Sequence, residues 1–211
     1  MSLNQNNANA LCAAVVDGLL AWKPLKAALQ NGGLESAGAV PIGIAIENFF
    51  SIHDPNKICV REYKIPSING RLRIDYALVD QASVGKARLK VKDVIEVKFN
   101  YASQGKVIGN RTANGLRQAA GYIRPTGVPD GVPDAYLLYL VADPFSATKH
   151  KPKPGKPVDS GWKYWRKPGQ SLITSAIGTI TQASRLASGT ILGSHHGSVA
   201  WCDLYCILIR I

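Results

Sequence analysis

Two short stretches decide the reading of this chain: Arg71-Leu72-Arg73-Ile74-Asp75-Tyr76-Ala77-Leu78, and further on Val94-Ile95-Glu96-Val97-Lys98-Phe99. Both are rich in β-branched and aromatic residues and read as strands. Alternation along the first puts Leu72, Ile74, Tyr76 and Leu78 on one face and Asp75 on the other. Along the second it puts Glu96 and Lys98 together, opposite Ile95, Val97 and Phe99. Paired strands lie about 4.8 Å apart, so side-by-side pairing would bring Asp75 and Glu96 close enough to share one divalent ion. Two carboxylates held together otherwise push one of them towards its protonated form, whereas Mg²⁺ or Mn²⁺ keeps both ionised and takes their oxygens as hard ligands. Lys98 follows about 6.6 Å along the same face. There it could position or deprotonate an attacking water, or stabilise charge growing on a phosphate. An isolated Glu-x-Lys is usually the polar face of a half-exposed strand, but here the pattern extends in both directions.

Upstream, Leu11, Val15, Leu19 and Trp22 recur at helical spacing and predict an amphipathic helix over 8–29, kinked before Pro24 and ended by Asn31-Gly32-Gly33. A short apolar helix is expected over 43–51, with Glu47 its one charge, closed by the turn Asp54-Pro55-Asn56. Lys57 to Ile65 is a further strand candidate, so three strands run in succession. Downstream, 112–123 reads as a helix stopped before Pro125, 135–142 as a buried strand, 171–187 as a helix and 199–211 as a final strand. The expected architecture is therefore α/β, a central mixed sheet flanked by helices.

The 211 residues suit one globular domain burying roughly 70% of its unfolded surface. The core would span about 40–145, a basic arm 145–170, and a C-terminal helix and strand 171–211. Lys plus Arg number 25 against 14 Asp plus Glu, a net +11 that attracts polyanions, DNA foremost. The first residues carry no positive cluster and Asp17 interrupts the apolar stretch after them, so neither a signal peptide nor a membrane span is expected, and a cytoplasmic protein is. Cys12, Cys59, Cys202 and Cys206 have neither disulfide-framework nor zinc-ligand spacing and are expected to be reduced, mostly buried thiols.

Four motifs stand in order: Gly43-Ile44-Ala45-Ile46-Glu47, Ile74-Asp75, Glu96-Val97-Lys98 and Gln118-Ala119-Ala120-Gly121-Tyr122. Together they resemble the PD-(D/E)XK nuclease superfamily, closest to its RecB-type branch, in which G-x-x-x-E, D, E-x-K and Q-x-x-x-Y recur in that order. The resemblance covers roughly residues 43–123. It implies a restriction-endonuclease-like core and metal-dependent hydrolysis of DNA phosphodiester bonds, with Asp75, Glu96, Lys98, Glu47, Gln118 and Tyr122 in the active site. It also implies Mg²⁺ or Mn²⁺ held by Asp75, Glu96, Glu47 and the backbone carbonyl of Val97. Residues four apart share a helix face, so Gly43 lies beside Glu47 and Gln118 beside Tyr122. Glu47 would be costly to bury unpaired, which makes a metal, its water or Lys98 a fitting partner. Gln118 and Tyr122 could bond a phosphate or Lys98, or simply pack on the sheet. One departure stands out: Gly70 precedes Asp75 by five residues, where the family often has G-x-x-D.

In 145–170, Lys149, Lys151, Lys153, Lys156, Lys163, Arg166 and Lys167 face only Asp159, with Trp162, Tyr164 and Trp165 interleaved. That mixture suits neutralised phosphates and stacked bases, although aromatics beside a sheet also serve as core anchors. Arg73, Arg111, Arg117, Lys163, Arg166 and Lys167 are the expected nucleic-acid contacts, with Arg124 beside them. His195-His196, in a Gly/Ser stretch read as a loop, receives no metal role. The rival readings are a catalytically inactive nuclease fold that binds nucleic acid, and a nuclease serving as a toxin or defence effector. Endo- or exonuclease action, strand preference and oligomeric state, a dimer included, are left open.

Overall fold

The computed structural model describes residues 3–32, 34–67, 70–86, 89–123, 134–146, 164–167 and 169–211. Helix α1 (Gln5–Ala21) is capped by Asn4, whose side chain accepts the Asn7 amide, and it stops before Pro24, where α2 (Leu25–Gln30) begins. A single turn, α3 (Leu34–Ala37), leads into α4 (Ala39–His53). The strands are β1 (Lys57–Ser67), β2 (Gly70–Asp80), β3 (Val91–Tyr101) and β4 (Asp134–Pro144), with α5 (Gly105–Ile123) between the last two. Helix α6 (Ile173–Leu186) precedes a hairpin of β5 (Thr190–Val199) and β6 (Cys202–Arg210).

The six strands form one mixed sheet in the order β1-β2-β3-β4-β6-β5. Among the described strands only β3 and β4 run parallel, joined through α5, as a parallel pair requires a crossover. Helices α1 and α4 cover one face over a large core that includes Leu11, Phe50, Tyr76, Ile95 and Leu138. Helices α5 and α6 cover the other, over Leu116, Leu137, Ile180 and Ile207 at one end and Ala77, Val94, Ala119 and Tyr122 at the other. The central strand β4 is buried from Ala135 to Pro144, as its unbroken apolar run requires when helices lie on both faces. The four cysteines are free, with Cys12, Cys202 and Cys206 buried. No helix among the described residues is long and apolar enough to cross a membrane.

The α/β architecture and the three successive strands match the sequence reading. The C-terminal end differs: the Gly/Ser stretch at His195-His196, read as a loop, lies within β5 (Thr190–Val199), a strand pairing with β6. Its glycines have a packing reason, since a Cβ on Gly193 would lie 2.6 Å from the Asn9 amide nitrogen and 2.7 Å from Ala8 Cβ. They admit the backbone of α1 against the strand rather than marking a turn.

Candidate active site

Strands β2 and β3 pair in the register Tyr76↔Ile95, Ala77↔Val94 and Leu78↔Asp93. Continued by one residue, that register sets Asp75 opposite Glu96, but the ladder stops at Tyr76 and the strands part. The Asp75 carboxylate fills the gap: its Oδ2 accepts the Val97 amide at 2.8 Å, a bond the ladder would otherwise supply. On the other side of Asp75, the ladder to β1 holds at Arg61↔Tyr76 and Tyr63↔Ile74 but skips Glu62, whose backbone is left-handed at φ 51°.

This irregularity corrects the expected alternation. Tyr76 and Leu78 do lie together, in the core under α1 and α4, whereas Ile74 packs on the opposite face with Ala119 and Tyr122. The two faces exchange at Asp75, as happens where a strand is locally kinked. Asp75 therefore sits at the seam, half-buried, lining a cleft of about 720 Å³ with Arg61, Glu62, Arg73, Tyr76, Val97 and the start of α4.

Glu96 and Lys98 share the α5 face of β3, as alternation predicted. Glu96 is buried, and Lys98 Nζ donates to its Oε1 at 2.5 Å. The Tyr122 hydroxyl lies 3.1 Å from Glu96 Oε2 and 3.0 Å from the Arg73 carbonyl, so its single proton serves one or the other. Gln118 Nε2 donates to that hydroxyl at 3.0 Å, one helical turn away. The Gln-x-x-x-Tyr pair thus reaches the Glu-x-Lys strand through Tyr122. Burial, and after it the negative charge of Asp75, raises the Glu96 carboxyl above its ordinary range, against the pull of Lys98 and Tyr122. Burial, followed by the charge of Glu96, likewise raises the Tyr122 hydroxyl, keeping it a proton donor.

The same face of β3 continues with Asn100, which the sequence reading passed over. It is buried, accepts the Tyr139 hydroxyl at 2.5 Å and donates to Gln104 at 2.8 Å. Its signal was the even spacing Glu96, Lys98, Asn100 along a strand whose other face is apolar.

Other expected residues lie elsewhere. Glu47 is exposed on α4 and acts on Cys59 of β1, whose thiol is pushed to about 12 by burial first and then by the Glu47 charge. The reason is the direction of α4. Gly43 packs against Arg61 and Tyr76, and the next turn advances along β1 away from Asp75. Among the described residues no three His, Cys, Asp or Glu side chains converge as a metal-binding group.

Arg166 is a structural residue rather than an exposed phosphate contact. Its side chain is 9% exposed, with Nε 2.7 Å from Asp143 and Nη2 3.0 Å from Asp203. Burial of Asp143 at the end of β4 demands such a partner. Tyr164 stacks on Tyr101 and Trp165 on Trp201, so these two aromatics are core anchors. Lys167 is exposed, and Lys163, Trp162 and Arg124 lie outside the described residues. Arg111 is exposed and donates to the Phe99 carbonyl at 3.0 Å, while Arg117 donates to Asn114 on the groove between α5 and α6. Arg73 remains at the cleft, 60% exposed and ion-paired to Glu62.

The donor set fits a hard divalent cation in one respect: a buried carboxylate and a second one opposite it repel each other, and a cation between them would relieve both. Mg²⁺ characteristically uses one or two carboxylates and keeps several waters, so two acidic side chains suffice. No protein-family profile, curated protein or solved structure matches the chain.

Proposed function

We propose that the chain is a divalent-metal-dependent nuclease of PD-(D/E)XK type, on a restriction-endonuclease-like core, hydrolysing phosphodiester bonds in DNA. The observation that carries this reading is the junction of β2 and β3, where Asp75 stands across from Glu96, bonds the Val97 amide and leaves Lys98 directed at Glu96. The ordered motifs around it, with Tyr122 reaching Glu96 from α5, support the same reading.

In this mechanism Asp75 and Glu96 would hold Mg²⁺ or Mn²⁺, with the Val97 carbonyl as a further donor. The bound cation supplies Lewis acidity for the phosphate and for the attacking water. Lys98, 17% exposed and donating to Glu96, would orient that water and stabilise the charge that develops on the phosphate. Tyr122 fixes the Glu96 carboxylate, and Gln118 fixes Tyr122.

Incubation of the purified protein with linear and circular DNA, in Mg²⁺ and in chelator, tests the reading. Metal-dependent cutting that disappears in Lys98→Ala is expected; equal cutting by Lys98→Ala, or none by the wild type with either metal, overturns it. Loss of the linear form alone would mark an exonuclease, and nicked circles an endonuclease.

The displaced position of Glu47 favours a second reading, an inactive nuclease fold that grips nucleic acid. Mn²⁺ titration followed by electron paramagnetic resonance separates the two, since a retained catalytic site binds the ion and an inactive scaffold does not.

A further inference from the structure

The β1–β2 hairpin is longer than the sheet that carries it. The two strands stay paired from Lys57↔Asp80 out to Ser67↔Gly70, but β3 accompanies β2 only up to Tyr76. Beyond Asp75 the hairpin therefore projects as a two-stranded ribbon. Its root is held on the α5 face by Tyr63 and Ile74, which pack against the Ala119 and Tyr122 cluster.

The other face is cationic. Arg61 and Arg73 line the Asp75 cleft, and Lys64 is exposed directly across from Arg73 in the register. Like charges facing each other across a ladder destabilise it; Glu62 is ion-paired to Arg73, and Asp75 lies in the same cleft. Arg61 is also positioned: its Cγ and Cδ fill the space where Gly43 lacks a Cβ, with Cδ 2.6 Å from where that atom would sit. The guanidinium thus leaves α4 at the mouth of the cleft.

We infer that this ribbon is the surface that takes the phosphate backbone of duplex DNA, with Arg61, Lys64 and Arg73 as its phosphate contacts and the strand to be cut passing over Asp75. The inference rests on the nuclease reading for the position of the cut, but not for the binding itself. Charge complementarity identifies a polyanion. A two-stranded ribbon has the width that the major groove of B-form DNA admits. Single-stranded binding would call for exposed rings on which bases stack. Among the described residues Tyr101 stacks on Tyr164 and Trp165 on Trp201, and none of the four lines the cleft.

The test is fluorescence anisotropy with a labelled duplex and the matching single strand, in chelator, across a salt series. The variant Arg61→Gln/Lys64→Gln removes two charges and keeps most of the stem over Gly43, and circular dichroism checks its fold. Each lost phosphate contact lowers the slope of log K against log salt by about 0.9, so the double variant should bind duplex more weakly with a slope smaller by about 1.8. The control Lys106→Gln/Arg185→Gln removes two exposed charges from α5 and α6. An unchanged slope in the ribbon variant, an equal loss in the control, or tighter binding of the single strand overturns the proposal. Asp75→Asn separates the two readings: retained duplex binding without cutting supports both, whereas ribbon-dependent binding by a wild type that never cuts sinks only the nuclease reading.

Discussion

Asp75 accepts the amide proton of Val97 at 2.8 Å, so one carboxylate both joins two parting strands and faces the cleft. Hydrogen bonds to a charged group contribute about 1.5–3 kcal/mol. Asp75→Ala should therefore destabilise the protein by about that amount, whereas Asp75→Asn, which keeps an accepting oxygen, should retain most stability and lose Mn²⁺ binding. Urea unfolding of both variants and Mn²⁺ titration of Asp75→Asn check this; equal stabilities would show that the strand junction does not depend on the side chain.

The titration of Glu96 has a defined sign. Its carboxyl is raised above the ordinary 4.5 by burial and then by Asp75, so the folded state holds its proton more tightly than the unfolded chain does. The corresponding stability is complete below the unfolded value and is lost as pH rises through the folded one. Asp93, raised by burial and then by the Asp134 charge against the pull of Lys57, adds a slope of the same sign. In chelator, melting temperatures of wild type and Glu96→Gln should diverge in favour of the variant as pH rises above the ordinary carboxylate range, and Mn²⁺ should close the gap. Parallel curves would count against a strained carboxylate.

Tyr122→Phe removes the hydroxyl that reaches Glu96 and the Arg73 carbonyl. Groups that orient a metal ligand are typically worth 10–100-fold in metal affinity. A fall of about that size in Mn²⁺ affinity, with a smaller one for Gln118→Ala, is expected from calorimetry; no change in either would reduce the Gln-x-x-x-Tyr pair to packing.

Gly115 lets α5 approach the sheet behind the site. An added Cβ would lie 2.8 Å from Leu137 Cδ1 and 3.2 Å from Lys98 Cγ. Gly115→Ala should cost about 1–3 kcal/mol through overpacking, and cutting should fall further than stability because the Lys98 stem is displaced. A variant as active and stable as the wild type would show that the helix yields freely.

Arg166→Ala should destabilise by about 3–5 kcal/mol, because the buried Asp143 loses the guanidinium of its ion pair and keeps only the donors at Ser171 and Leu172. The salt slope of duplex binding should stay the same. A smaller slope with unchanged stability would return Arg166 to the nucleic-acid interface.

The centre of the site was legible because strand periodicity is local: Glu96 and Lys98 two apart must share a face, and Gln118 and Tyr122 four apart must share a helix side. The adjacency of β2 and β3 followed from their succession in the chain. What escaped depends on contacts between distant segments. Glu47 lies in a helix whose direction over β1 no motif encodes. Ile74 is turned to the α5 face by an irregularity beside Glu62, which has no composition signal. Gly193 and Gly197 resemble turn residues until α1 is laid across them. Arg166 sits among cations in sequence but between two aspartates in space.

The bridge between Phe145 and Arg166, with Ser146 N–H donating to the Arg166 carbonyl at 3.1 Å and Arg166 N–H to the Pro144 carbonyl at 3.0 Å, sets the end of β4 beside the backbone of Arg166. Arg166 is thereby held through its backbone as well as through its guanidinium, which meets Asp143 and Asp203. Loss of the side chain alone would leave these backbone bonds to keep the approach to α6 in register with the end of β4, so the two kinds of anchorage can be separated by substitution.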